Sequence, residues 1–166
     1  MASHRRSALR VAAVVLGTAQ GADDVVQDAT ERALRAASRF DPGADVRPWF
    51  LRIVANTARN RRRARGRRAA LVVRAAHRRD LDGASPEDHL VSSDERELVL
   101  RALNRLAPDD RLVLALRHFD GLSEREMAIS MACPNGTVKS RLARATARLR
   151  HELGASDHRG RGGHHA

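Results

Sequence analysis

The chain has 166 residues, 42% of them hydrophobic but only 2% aromatic, and carries a formal net charge of +11 at pH 7. That length allows one domain or two small ones, and cores built from Leu, Val and Ala favour helices over sheets. One cysteine, Cys133, excludes an internal disulfide and fits a reducing cytoplasm, no apolar run is long enough to cross a membrane, and the N-terminus lacks the pattern of a signal peptide. So basic a balance favours a polyanionic partner, and nucleic acid is the usual one. Lys139 is the one lysine. An arginine excess suits phosphate contacts and equally follows from GC-rich codons, so it discriminates neither.

In chain order, residues 9–16 form an apolar run expected to be a short helix, and Gly17 and Gly21 bracket the turn after it. Residues 23–39 read as the next helix, with Asp23 and Asp24 near its positive end. Its buried stripe is Val26, Ala29, Ala33, Ala37 and Phe40. Asp24, Gln27, Asp28 and Glu31 make a separate acidic stripe at helical spacing. The residues alone leave open whether that stripe serves a function or is a solvated face that balances nearby arginines.

The loop FDPGADVR, residues 40–47, leads to a helix opened by Pro48. Leu51, Val54, Ala55 and Ala58 face a core, while Arg52, Asn56, Arg59, Asn60 and Arg63 line the opposite side. Residues 46–79 hold 12 arginines and no acid. Such a helix tracks a phosphate backbone, and its asparagines can hydrogen-bond exposed base edges. Trp49 is placed either to stack on a base or to pack in the core. Residues 65–91 read as a linker with Gly66, Gly83, Ser85 and Pro86, and residues 71–76 are a candidate extension of the helix. Residues 80–110 then carry nine acids and three arginines, a charge reversal that marks a domain boundary.

Ser92 and Glu95 have capping-box spacing and open a helix to about Leu106, with Leu98, Val99, Ala102, Leu103 and Leu106 on its apolar face. Pro108, Asp109 and Asp110 start the next, which packs Leu112, Val113, Leu116 and Phe119 and stops at Gly121. Residues 121–149 read as a helix-turn-helix. Ser123 and Glu126 form a second capping box, Leu122 and Met127 a hydrophobic staple, Ala132 and Cys133 the turn, and Pro134 the first position of the second helix. In that helix Val138, Leu142, Ala145, Leu149 and Leu153 share a buried stripe. Thr137, Ser140, Ala143, Arg144 and Ala147 project from the other side, flanked by Lys139, Arg141 and Arg148. A helix of this kind lies in a major groove with its N-terminal half near base edges and its arginines near phosphates. The Gly- and His-rich tail, residues 154–166, is expected to be disordered.

Taken together, these stretches resemble a bacterial RNA polymerase sigma factor of the sigma-70 family, in its extracytoplasmic-function (ECF) group. DDVVQDATERAL, then RFDP and RPWFLRIVANTARNRRR, look like the second conserved region. ALNRLAPDDRLVLALRHFDGLSEREMAISMACPNGTVKSRLARATARLR looks like the fourth, with nothing of the third between them. The resemblance implies an all-α fold of two small helical domains joined by a flexible linker: residues 1–65 as region 2, 66–91 as linker, and 92–153 as a four-helix, helix-turn-helix region 4. It implies that Asp24, Gln27, Asp28 and Glu31 dock on the clamp helices of the polymerase's largest subunit. The loop at residues 41–47 and Trp49, Asn56, Arg59, Asn60 and Arg63 would melt and hold the -10 element. Thr137, Lys139, Ser140, Arg141 and Arg144 would read the -35 element, and region 4 would sit on the flap of the second-largest subunit. Many relatives are also held by an anti-sigma factor, often membrane-bound.

Two departures stand out: the chain begins late relative to the family's first helix, and Ala143 is smaller than the residue many relatives carry there. No nucleophile–base pair, apolar carboxylate pair, Gly-rich phosphate loop or metal-ligand spacing occurs, so no catalytic residue, cofactor, metal or small-molecule substrate is expected. The rival reading is a stand-alone helix-turn-helix regulator of the response-regulator output type, which leaves the basic Asn56–Arg63 face and the acidic stripe unexplained.

Overall fold

The computed structural model describes residues 2–76 and 94–160. The proposed linker beyond residue 76, the Ser92 capping box and the last six residues lie outside them. Seven α-helices follow one another among the described residues, with no strand: α1 (Ala2–Leu16), α2 (Ala22–Ala36), α3 (Val46–Ala76), α4 (Asp94–Arg105), α5 (Pro108–His118), α6 (Glu124–Met131) and α7 (Asn135–Gly160). The all-α expectation therefore holds.

In the N-terminal half, α1 and α2 pack on each other and on α3. Val11 and Val15 of α1, Val25 and Ala29 of α2, and Leu51, Val54 and Ala58 of α3 are all essentially closed to solvent. The turn between α1 and α2 needs glycine. Gly17 and Gly21 have φ of 82° and 81°, and a Cβ at Gly21 would fall 2.9 Å from Arg65 Nη2. In the C-terminal half, α5 and α6 pack on α7, and α4 lies along α7. Leu112, Leu116, Leu122, Met127 and Val138 are fully buried there. The halves also touch: α5 packs on α1 and α6 on α3, and the buried side chains of both form one cluster.

Several boundaries differ from the sequence reading. The first helix starts at Ala2, well before residue 9, because Ser7 and Ala8 are already buried. Ala37 is exposed and falls outside the stripe expected for α2. The chain tightens into a 3₁₀ turn, Ala37–Arg39, where the angular step per residue changes and the α-helical phase is lost. Val25, which that stripe omitted, is fully buried. Helix α3 runs on to Ala76, into the expected linker, and α7 runs to Gly160, past Leu153. Pro134 precedes α7 as its N-cap: its carbonyl accepts from Thr137 and Val138, at 3.0 and 3.1 Å.

Candidate nucleic-acid interface

The helix-turn-helix is assembled locally. Ser123 caps α6, accepting from the Glu126 amide, and Glu126 accepts in return from the Ser123 amide at 2.7 Å and the Ser123 hydroxyl at 2.5 Å. Those donors hold the Glu126 carboxyl below the ordinary glutamate range, the hydroxyl contributing most. Leu122 and Met127 close the staple, both wholly buried. At the C-terminus of α6, Ala132 takes the left-handed conformation at φ 55°, and its amide and that of Cys133 return to α6 carbonyls.

The turn then delivers α7 with Val138 and Ala145 buried and Leu142 and Leu149 half-buried, as the stripe required. Lys139, Ser140 and Arg144 are exposed, and Thr137 and Arg141 are half-buried. Arg144 Nε donates to the Ser140 carbonyl at 3.1 Å, which lays the guanidinium along the helix. Lys139 reaches Glu124 of α6 at 3.5 Å. Arg141 points elsewhere, donating to Asp109 of α5 at 3.0 Å.

The second basic face is on α3. Arg52, Asn56, Asn60 and Arg63 are exposed and Arg59 is half-buried. Arg59 donates to Asn56 Oδ1 at 3.1 Å and to Asp109 at 2.9 Å, so the two halves share one carboxylate. Arg59, Arg62, Arg63 and Arg65, with Leu16 and Pro108, line an open cleft of about 750 Å³. Arg111 sits across from them in α5, buried, and burial followed by the positive charge of Arg62 lowers its pKa. Trp49 is half-buried at the start of α3, its ring 4.7 Å from that of Phe40 and tilted by 49°.

The acidic stripe of α2 faces solvent. Asp24, Gln27, Asp28 and Glu31 are all exposed. Asp24 takes Arg61 at 2.6 Å, Asp28 lies 3.9 Å from the same guanidinium, and Glu31 pairs with Arg35 at 3.2 Å. Leu34, one turn further on, is 71% exposed and was not singled out in the sequence. Its signal was available, because it continues the 24–27–28–31 spacing. Leu34, Val46, Phe40 and Trp49 line an apolar groove of about 1030 Å³ beside that stripe.

Two family descriptions fit this chain: "Sigma-70 region 2" over residues 1–68 and "Sigma-70, region 4" over residues 96–149. The chain is 38% identical over 130 residues to the ECF RNA polymerase sigma-E factor of Escherichia coli K12, covering 74% of this chain and 68% of that protein. This protein belongs to the ECF group of the sigma-70 family. The RNA polymerase sigma-H factor of Pseudomonas aeruginosa is also 38% identical, over 135 residues, covering 76% of this sigma factor and 70% of that one. Among solved structures, the sigma factor RpoE of Bartonella quintana, in complex with the anti-sigma factor NepR, superposes with a TM-score of 0.70 at 26% identity, covering 90% and 91% of the two chains. CnrH, in complex with the cytosolic domain of CnrY, superposes at 0.58 and 27% identity, over 89% and 81%. The region 2 match thus spans α1, α2 and α3 as far as residue 68, and the region 4 match spans most of α4, all of α5 and α6, and α7 as far as residue 149.

Proposed function

We propose that this sigma factor binds core RNA polymerase in the cytoplasm and directs it to promoters through -10 and -35 DNA elements, performing no chemistry itself. The observation that carries the reading is the presence of regions 2 and 4 in one chain and in that order, each with an exposed basic face. Region 4 offers Thr137, Lys139, Ser140 and Arg144 to the -35 major groove, joined by Arg141 when it leaves Asp109. Base-edge contacts set register there, each good bidentate pair being worth roughly 1–3 kcal/mol of discrimination. Region 2 offers Trp49, Asn56, Arg59, Asn60 and Arg63 to the displaced -10 strand, where stacking and phosphate contacts offset an unpairing cost of a few kcal/mol. The exposed stripe of Asp24, Gln27, Asp28 and Glu31 is the docking face for the clamp helices of the largest subunit, and region 4 rests on the flap of the second-largest. An anti-sigma factor is a further partner, by analogy with the RpoE–NepR complex.

The test is run-off transcription with purified core polymerase on genomic fragments, with and without this protein. New starts at defined sites are expected. Palindromic DNA bound without polymerase, and no new starts, would favour the stand-alone regulator instead.

A further inference from the structure

Four guanidiniums gather where α3 passes the start of α5. Arg59, Arg62, Arg63 and Arg65 fall within two turns of α3 and line the cleft of about 750 Å³. Asp109 is the one carboxylate lining it, and its two oxygens are already taken, Oδ1 by Arg59 at 2.9 Å and Oδ2 by Arg141 at 3.0 Å. Arg62, Arg63 and Arg65 are exposed and make no hydrogen bond or ion pair among the described residues.

A fifth guanidinium stands behind the wall of the cleft. Arg111 of α5 is only 7% exposed, and its Nη1 would lie 3.1 Å from a Cβ at Gly17, the residue after Leu16 of the cleft wall. It has no carboxylate partner among the described residues. Nη1 donates to the neutral Asn104 side-chain oxygen at 3.0 Å, and Nε is buried with no partner. Burial, and then the nearby charge of Arg62, lowers its pKa. A buried charge is ordinarily paired, because its desolvation otherwise goes uncompensated. Here the described residues supply no further anion, so several positive charges share one corner unanswered.

The geometry limits what could answer them. Side chains three or four residues apart on a helix stand roughly 5–6 Å apart at Cβ, too far for one carboxylate to serve all the arginines. Each guanidinium fork takes two oxygens of a phosphate, so a run of linked phosphates matches a row of forks. The volume lies within the roughly 300–1,000 Å³ of small-molecule sites. Leu16 and Pro108 add an apolar wall on which a base can rest.

We propose that this cleft binds a small free polyphosphate, a run of three or more phosphates with or without a nucleoside, gripped by Arg62 and Arg65 with Arg63 beside them. The inference goes beyond the DNA reading, since Arg62 and Arg65 are not among the residues offered to the -10 strand. The bound anion would also relieve the repulsion on Arg111, so it should stabilise the fold as well as fill the cleft.

Isothermal titration calorimetry of the full chain with sodium tripolyphosphate, at about 0.15 M salt to screen diffuse attraction, tests this directly. One site per chain is expected. Arg62→Gln with Arg65→Gln should weaken it by about tenfold or more, because hydrogen bonds to charged groups are lost. Arg125→Gln with Arg150→Gln removes the same charge from exposed positions away from the cleft and should change affinity less than about twofold. Tripolyphosphate should also raise the melting temperature of wild type and of the Arg125/Arg150 variant, but not of the Arg62/Arg65 variant. No binding, several equivalent weak sites, or equal losses in the two double variants would each overturn the proposal. ATP in place of tripolyphosphate identifies the source: tighter binding of ATP assigns the cleft to a nucleoside polyphosphate, and equal binding to the inorganic chain. A fluorescein-labelled oligothymidine separates the cleft from the DNA track. The Arg62/Arg65 variant should bind it as the Arg125/Arg150 variant does, and a loss as large as that for tripolyphosphate would make the cleft part of that track and end the proposal. If tripolyphosphate binds as expected while no form binds oligothymidine, the cleft stands and the DNA reading is what fails.

Discussion

Glu126 is the residue whose protonation matters most to the helix-turn-helix. Its carboxylate is held by the Ser123 hydroxyl and amide, and its folded pKa lies below the unfolded value, which is about 4.3. The ionised box therefore stabilises the fold above that unfolded value and loses its contribution as pH falls through the folded one. Thermal unfolding of wild type and Glu126→Ala should differ by about 0.5–1 kcal/mol at pH 6, and the gap should narrow by about pH 3. A gap unchanged with pH would mean that the ionised carboxylate is not what closes the cap. The box was readable because its partners are three residues apart and its chemistry is local. Ala132 was not readable as a left-handed residue, since glycine or asparagine usually takes that position. Contacts between the two halves were equally hidden: Arg10 donates to Asp120 at 2.9 Å, yet the two are 110 positions apart and no local pattern links them.

At the scale of elements, periodicity recovered most of what faces a core, but not at Ala37, Val99 or Phe119, which are exposed, and it missed where helices end. The stripes of α3 and α7 follow a 3.6-residue period and appear as expected. The end of α3 did not, because an arginine-rich helix that leaves its core shows no inside or outside to mark its stop. The two proposed contact elements separate cleanly by experiment. Lys139→Ala with Arg144→Ala should lower -35-dependent transcription by about tenfold or more while leaving core polymerase binding nearly unchanged, as each lost base or phosphate contact costs about 1 kcal/mol or more. Equal losses in both assays would contradict the placement on α7. Asp28→Lys with Glu31→Lys, on the solvent face of α2, should instead weaken polymerase capture by about tenfold and spare the melting temperature, because both side chains are exposed. Unchanged capture would take the stripe out of the docking site.

For the whole molecule, the order of regions 2 and 4 was legible from two motif sets with a charge reversal between them. That the halves share one buried cluster was not, because neither the apolar stripe of α5 nor that of α6 says which neighbour covers it. One further feature follows from the reach of α3. It is 31 residues long, about 46 Å at 1.5 Å per residue. Residues 65–69 are exposed, and a Cβ at Gly66 would meet nothing within 4 Å. Along these exposed residues intrinsic helix propensity carries much of the helix, and Gly66 weakens it by roughly 0.5–1 kcal/mol relative to alanine. Each residue that unwinds lengthens the chain by about 2 Å, the difference between extended and helical rise. The end of α3 is thereby a store of slack that can be paid out one residue at a time, so that region 4 meets a -35 element at more than one distance from the -10. Gly66→Ala, by stiffening that store, should leave transcription intact at the best-matched spacing and depress it at spacings one or two base pairs longer. A spacer-length series of promoters read by run-off would show whether the two proteins differ in the breadth of their optimum; identical profiles would put the slack elsewhere in the chain.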